Sequence, residues 1–327
     1  MKALVFDRFG GPEVLEYRDI PEPQPAAGTV MVRMKAIGLN FADIYRRRGN
    51  YHLAGKPPYI LGYEGAGVIE HVGQGVEGLR AGDRIAFADA PFANAELVSV
   101  PAERAIPLPD DIPFEQAASV LLQGLTAHYL IHDSYPVQAG DEVLVHAAAG
   151  GVGQLLTQLC KTKGARVLGL TSSAPKRDKA LLAGADEVLL YGNGGDSPLW
   201  AKAARDWSSD GQGMNVAYDS VGSTLMDSFS AVRIQGTVVF YGMAGGDPPH
   251  VDPRMLMDTS KTLTGGDLWN HITTRQDRIQ RSGFLFNELR QGRLRVETAA
   301  AFPLSEGGQA HRLLESRAST GKILLIP

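Results

Sequence analysis

The residues best suited to chemistry lie between Glu142 and Gly164, in EVLVHAAAGGVGQLLTQLCKTKG. Val143, Leu144 and Val145 form a short continuous apolar run, as a strand buried on both faces would. A turn of small residues follows from Ala147 to Gly153. After it Val152, Leu155, Leu156 and Leu159 recur at helical spacing until Gly164 closes the segment. Strand, glycine turn and helix together open a dinucleotide-binding unit, because residues without bulk let backbone N–H groups and a helix N-terminus approach a pyrophosphate. Gly150 and Gly153 take the last two places of G-x-G-x-x-G, Ala148 holds the first, and Gly151 and Val152 lie between. The alternative is a tight turn with no ligand, against which the flanking strand and helix argue.

The next strand end speaks to the kind of dinucleotide. An acidic residue about 20 positions past the glycines marks the NAD-type pattern, where it holds the ribose hydroxyls. Here the position reads Thr171-Ser172-Ser173, followed by Lys176 and Arg177. A carboxylate would repel a 2'-phosphate, whereas hydroxyls and a cation hold it. Ser172, Ser173 and Lys176 are therefore candidate phosphate contacts, and NADPH is the expected cofactor. Ser173 also suits a helix N-cap with Pro175 in the first turn, and the two roles are compatible.

Other chemistries find little support. Cys160 is the only cysteine of the chain, which rules out an intrachain disulfide and zinc–thiolate clusters. His128 and His132 share a helix face, but no glutamate follows His128 and no third ligand is evident. No G-x-S-x-G elbow is present. Without a Lewis acid, a ketone substrate would leave its developing alkoxide unstabilised. A quinone or conjugated enone spreads the charge over its own π-system, and that narrows the electrophile of any hydride transfer.

A length of 327 residues exceeds what one core usually supports, so two domains are expected. The net charge of -4 argues against a nucleic-acid or anionic-membrane surface. Arg46-Arg47-Arg48 is the tightest basic cluster and reads as a solvated face. No apolar run reaches transmembrane length, Met1 to Phe6 reads as a strand rather than a leader, and a cytoplasmic location is expected. The first third is rich in proline and glycine, with strands over Val30 to Ile37, Gly67 to Val72 and Arg84 to Ala88, and suggests a compact, mainly β domain. From Pro113 the pattern changes. Helices are expected over Phe114 to Leu122 and from Gly124 to His132, followed by alternating strands and helices that end with a helix over Thr224 to Arg233 and a strand over Thr237 to Tyr241. That alternation predicts an α/β doubly wound parallel sheet. A long polar helix over Thr273 to Arg290 and a final strand over Lys322 to Ile326 make a tail expected to fold back onto the first domain.

Several motifs then converge on one family. Asn40-Phe41-Ala42-Asp43-Ile44-Tyr45 with Arg47, Gly49 and Tyr51; Leu61-Gly62-Tyr63-Glu64-Gly65-Ala66-Gly67; Gly124-Leu125-Thr126-Ala127; the Ala147 to Gly153 turn; Asp219-Ser220-Val221-Gly222; and Glu315-Ser316-Arg317-Ala318 with Gly321 occur in order over the whole chain. They resemble the zeta-crystallin-type quinone oxidoreductases, zinc-free members of the medium-chain dehydrogenase/reductase superfamily. Tyr63 stands where zinc-dependent cousins carry a histidine ligand.

The resemblance implies a GroES-like catalytic domain from residues 1–124 and 266–327, a Rossmann domain over 125–265, an active cleft in the crevice, NADPH as cofactor, a quinone substrate and a homodimer. It puts Asn40 and Tyr51 beside substrate and nicotinamide with Asp43 nearby, and Phe41, Tyr45 and Thr126 along the nicotinamide. Gly150, Gly151, Val152 and Gly153 would meet the pyrophosphate, and Tyr191 the adenosine end. Ser220, Gly242 and Met243 would follow sheet strands beside the cofactor, and Arg317 would reach back to it. Each has a plainer reading: Asn40 as a turn residue, Asp43 as a structural acceptor, Tyr51 as packing, Arg317 as a helix cap. The sequence departs from the family pattern at Gln123, where lysine is common, at Met243, where asparagine is frequent, and at Gly265 to Trp269, which lacks an arginine–proline pair. Reduction of α,β-unsaturated carbonyls is the alternative activity, and a non-enzymatic nucleotide- or RNA-binding scaffold is the rival class.

Overall fold

The computed structural model describes residues 1–192 and 199–327. The chain divides into two compact units: Met1–Leu125 with Ile272–Glu288 and Val296–Pro327, and Thr126–His271 with Leu289–Arg295.

In the first unit the strand Thr29–Leu39 is the organising element. It pairs antiparallel with Gly65–Val72, Leu97–Pro101 and the C-terminal strand Lys322–Ile326, so the tail does return to this unit. Val30, Val32, Met34, Ile37 and Leu39 are buried in one cluster with Ile69, Ile85, Phe87, Val98, Ile323 and Leu325. A three-stranded antiparallel sheet, ordered Glu16–Asp19, Lys2–Phe6 and Tyr59–Ile60, completes the β structure.

A helix unread in the sequence, Phe41–Arg48, follows the central strand directly. Asn40 precedes it, Asp43 Oδ2 accepts the Asn40 N–H at 3.0 Å, and Gly49 ends it at φ 81°. These are ordinary helix start and stop signals. The basic cluster on this helix corrects the reading of a solvated face: Arg46 and Arg47 are buried, and only Arg48 is exposed. Arg47 pairs with Glu315, faces His311 Nδ1 at 2.9 Å and donates to the Gly10 carbonyl at 3.1 Å. Buried charges persist when paired in this way.

The second unit is a six-stranded parallel sheet. Its order is Glu187–Leu190, Arg166–Thr171, Glu142–Val145, Met214–Asp219, Val232–Phe240, Thr262–Gly265. Numbered along the chain this is 3-2-1-4-5-6, the doubly wound dinucleotide-binding order. Leu144, Leu168, Leu170, Trp200, Ala217, Phe229 and Val238 build its core.

Three local expectations needed correction. One helix, Phe114–Tyr129, runs through Gly124 instead of breaking there, then passes into a π-helical turn, Leu130–Ser134. A side chain on Gly124 would meet Leu285 at 2.9 Å, so glycine here permits close packing without ending the helix. The helix expected over Thr224 to Arg233 is only Leu225–Ala231, and the strand begins at Val232, where β-branched Val232 and Ile234 favour extension. Among the described residues, no helix is long and apolar enough to cross a membrane.

Candidate functional site

The glycine turn stands at the end of the first strand of the parallel sheet. Gly150 precedes the helix Gly151–Thr162 in extended conformation and offers its carbonyl to the Gln154 N–H at 2.9 Å. The first-turn N–H groups, including those of Gly151 and half-buried Val152, open the helix at the place an anion would occupy. Gly153 is required sterically, since a Cβ there would lie 2.3 Å from the Ala147 carbonyl oxygen and 2.8 Å from Ala148 Cα. Ala148, in the first glycine place, is accommodated by another glycine: a Cβ on Gly169 of the second strand would come within 2.9 Å of the Ala148 methyl. The turn is thus closely fitted by small residues at Gly153 and Gly169.

At the end of the second strand Ser172 is exposed and Lys176 half-buried, and Lys176 Nζ donates to Ser172 Oγ at 3.2 Å. Ser173 stands at the N-cap position of the helix Ala174–Leu182 with Pro175 in its first turn, but its side chain makes no capping hydrogen bond. Ser220 follows the fourth strand, and its carbonyl accepts the Ala244 N–H at 3.0 Å. A Cβ on Gly242 would lie 3.1 Å from that carbonyl, and one on Gly222 would lie 3.2 Å from Met243 Cα. Ser220, Gly242 and Met243 are therefore brought together at adjacent strand ends. Tyr191 follows the third strand, and its hydroxyl accepts the Ala147 N–H at 2.9 Å. Thr126 is buried in the helix Phe114–Tyr129.

The remaining candidates belong to the first unit. Asn40 is buried, and its amide nitrogen donates to Glu64 Oε2 at 2.8 Å and to the Gly38 carbonyl at 3.2 Å. Its Oδ1 accepts from Lys322 Nζ at 2.9 Å. Lys322 Nζ also lies 2.5 Å from Glu64 Oε2, both side chains fully buried, and Glu64 Oε1 accepts the Leu122 N–H at 2.7 Å. Sequence reasoning missed this pair; a lysine inside the apolar strand KILLI was the available signal. Burial pushes the Asp43 carboxyl above its ordinary value against the opposing charge of Arg46, whose Nη1 is 3.3 Å away. Phe41, Tyr45 and Tyr51 form an aromatic row with successive ring centroids 6.4 Å apart. Arg317 is exposed just past the helix Gly307–Glu315 with φ 56°, its N–H bonded to the Leu314 carbonyl at 3.1 Å, which is a helix-end geometry.

The comparisons with known proteins agree with this arrangement. Residues 26–110 match the family described as alcohol dehydrogenase GroES-like domain, and residues 151–280 that described as zinc-binding dehydrogenase. A quinone oxidoreductase of Pseudomonas aeruginosa is 38% identical, with all of this chain and 99% of the relative aligned. The chain belongs to the quinone oxidoreductase family. A 2-haloacrylate reductase of a Burkholderia species is 34% identical over 99% of this chain and 98% of its own. The solved structure of Escherichia coli quinone oxidoreductase, complexed with NADPH, superposes with TM-score 0.95 at 36% identity and covers both chains completely. The resemblance and the two-part fold read from the motifs are upheld.

The residues present do not suit the zinc named by one of the matched families. Among the described residues no group of three or more histidine, cysteine or acidic side chains is placed to hold a metal ion. Cys160 is buried in its helix, and burial pushes its thiol far above the ordinary range, away from the thiolate that zinc requires. Tyr63, at the ligand place of the zinc-dependent cousins, has the Arg46 guanidinium 3.8 Å from its ring centroid. A fixed cation there disfavours a second one.

Proposed function

We propose that the protein is an NADPH-dependent quinone reductase that transfers hydride without a bound metal. The carrying observation is the end of the second parallel strand, where Ser172 and Lys176 stand 3.2 Å apart in place of a carboxylate. A hydroxyl beside an ammonium suits a 2'-phosphate, and a carboxylate would suit the free ribose hydroxyls. When bound, NADPH supplies a hydride from nicotinamide C4. The chain's own part is to hold the dinucleotide: the turn at Gly150 to Gly153 for the pyrophosphate, Ser172, Ser173 and Lys176 for the 2'-phosphate, and Ser220, Gly242 and Met243 beside them on the second unit.

On the first unit, the row of Phe41, Tyr45 and Tyr51 offers flat apolar faces for a planar ring substrate. The Tyr51 hydroxyl is our candidate to supply a proton. We assign Asn40 and Asp43 to fixing the start of the helix that presents Phe41 and Tyr45, since the amide of Asn40 is spent on Glu64, Gly38 and Lys322. The sequence's assignment of residues 125–265 to NADPH and of both chain ends to catalysis belongs to the same reading. So does a homodimer through the second unit, for which we favour the outermost strand Thr262–Gly265, an edge unpaired among the described residues, with Leu263 on it and Ile234 and Met257 exposed in the same unit. A chain with a single, buried cysteine also fits a reducing cytoplasm.

Reduction of α,β-unsaturated carbonyls is the second reading, favoured by the 34% identity to the 2-haloacrylate reductase. NADPH oxidation measured with 1,2- and 1,4-quinones against an alkenal panel separates the two. Lys176→Ala should weaken NADPH binding by roughly 10-fold and leave NADH binding unchanged, the size of one charge-assisted hydrogen bond. Equal rates with NADH and NADPH in the parent protein would sink the 2'-phosphate assignment.

A further inference from the structure

Beneath the cofactor turn runs a chain of hydrogen bonds whose direction is fixed at both ends. The Ala147 N–H can only donate, and it meets the Tyr191 hydroxyl oxygen at 2.9 Å. Tyr191 must then give its own proton elsewhere, and His146 Nδ1 lies 3.1 Å away. At the far end, Asp219 Oδ2 accepts from Ser228 Oγ at 2.7 Å and from Thr224 Oγ1 at 2.8 Å. Its Oδ1 accepts the N–H groups of Val221 at 2.8 Å and Gly222 at 3.0 Å. An ionised carboxylate is an acceptor only. Burial alone would raise the Asp219 carboxyl, but the hydrogen bonds donated by Ser228, Gly222 and Thr224 favour its ionised form, and it lies below its ordinary value.

Ser228 therefore gives its proton to Asp219, the Thr224 carbonyl being farther at 3.2 Å. That leaves the Ser228 oxygen to accept from His146 Nε2 at 3.0 Å. With the ring neutral, these donors and acceptors are satisfied by an imidazole with its proton on Nε2 and its lone pair on Nδ1, which faces the Tyr191 hydroxyl at 3.1 Å and Thr224 Oγ1 at 3.5 Å. Burial favours that neutral ring, against the pull of the Asp219 charge 4.0 Å away.

The topology shows what the chain of bonds does. Tyr191, His146 and Asp219 stand at the ends of the third, first and fourth strands, and Ser228 on the helix Leu225–Ala231. The strand order reverses between the first and fourth, which is where open α/β sheets bind ligands. Ala147 has φ 48°, a left-handed conformation unfavourable for alanine. Its carbonyl accepts the Gly150 N–H at 2.8 Å and fills the space beside Gly153, so this one residue shapes the turn.

We propose that Tyr191, His146 and Ser228 are positioning residues, a one-way relay that holds Ala147 in its left-handed state and so preforms the turn for a dinucleotide pyrophosphate. Asp219 anchors the relay and fixes the loop after the fourth strand at the same time. The inference rests on the NADPH reading above.

Two measurements test it. In the parent protein labelled with 15N-histidine, His146 should show the neutral Nε2–H tautomer across neutral and mildly alkaline pH. An Nδ1–H tautomer or a protonated ring overturns the relay, and this arm needs no variant to fold. The second measurement is the NADPH Kd of the parent, Ser228→Ala, Tyr191→Phe and the double variant. Binding is followed by tryptophan fluorescence, since Trp200 lies 5.1 Å from the His146 ring and 6.3 Å from Tyr191. Each single change should weaken binding by about 3- to 10-fold. The double variant should bind no worse than the weaker single, because either cut frees the same residue. Effects that multiply, or an unchanged Kd in folded Ser228→Ala, overturn the inference alone. A parent protein that does not bind NADPH overturns the cofactor reading and this inference with it.

Discussion

The two units solve the burial of polar groups in opposite ways. In the first, Glu64 and Lys322 are full charges sealed in the core, with Asn40 between them, and Arg47 lies buried against Glu315 and His311. In the second, the polar groups beneath the turn are hydroxyls and an imidazole linked by hydrogen bonds to one carboxylate. Removing one partner of a buried ion pair strands a charge, whereas cutting a neutral hydrogen bond leaves only an unpaired dipole. The first unit thus depends on each buried charge keeping its partner. The second supports its glycine turn through bonds that individually matter less.

The sharpest way to break this contrast is Lys322→Met. It leaves Glu64 buried without its cation and should destabilise folding by about 3–5 kcal/mol in urea titration. The double change Glu64→Leu with Lys322→Met should recover most of that. A Lys322→Met loss below about 1 kcal/mol would mean that Glu64 is not behaving as a buried charge.

Acid comes next. His311 is fully buried, and desolvation together with the Arg47 charge lowers its pKa to about 3. The unfolded chain takes up that proton near pH 6.5, and the folded chain resists it down to about pH 3. The contribution is fully present above the unfolded value and is lost as the pH falls through this window, at up to about 1.4 kcal/mol per unit. His311→Gln should flatten the slope of stability against pH. An unchanged slope would show that His311 is not its source.

Gly153→Ala tests the turn itself. The added methyl meets backbone atoms of Ala147 and Ala148, which cannot step aside as a side chain can. A cost of about 1–3 kcal/mol is expected, with NADPH binding lost before folding. The smallest expected effect is none: exhaustive chelation should leave activity untouched, and a loss that added zinc restores would refute the metal-free mechanism.

Much of the second unit was legible because its signals are local. Strand, glycine turn and helix follow one another within Glu142 to Gly164, and their alternation carries on to the end of the sheet. The misreadings were local too. Gly124 reads locally as a break, although the helix runs through it and packs against Leu285. In the helix Phe41–Arg48, residues noticed for chemistry were at the same time its start signals.

The amino-acid sequence by itself determined the fold class, the glycine turn between strand and helix, and the family, since these depend on periodicity and on residue types a few positions apart. Only the tertiary structure decided the fate of the buried polar residues. Lys322 and Glu64 are 258 positions apart, Arg47 and His311 are 264, and His146 and Ser228 are 82. Whether such a residue is a solvated charge, a sealed ion pair or a link in a relay depends on what the fold brings against it. No local pattern carries that information.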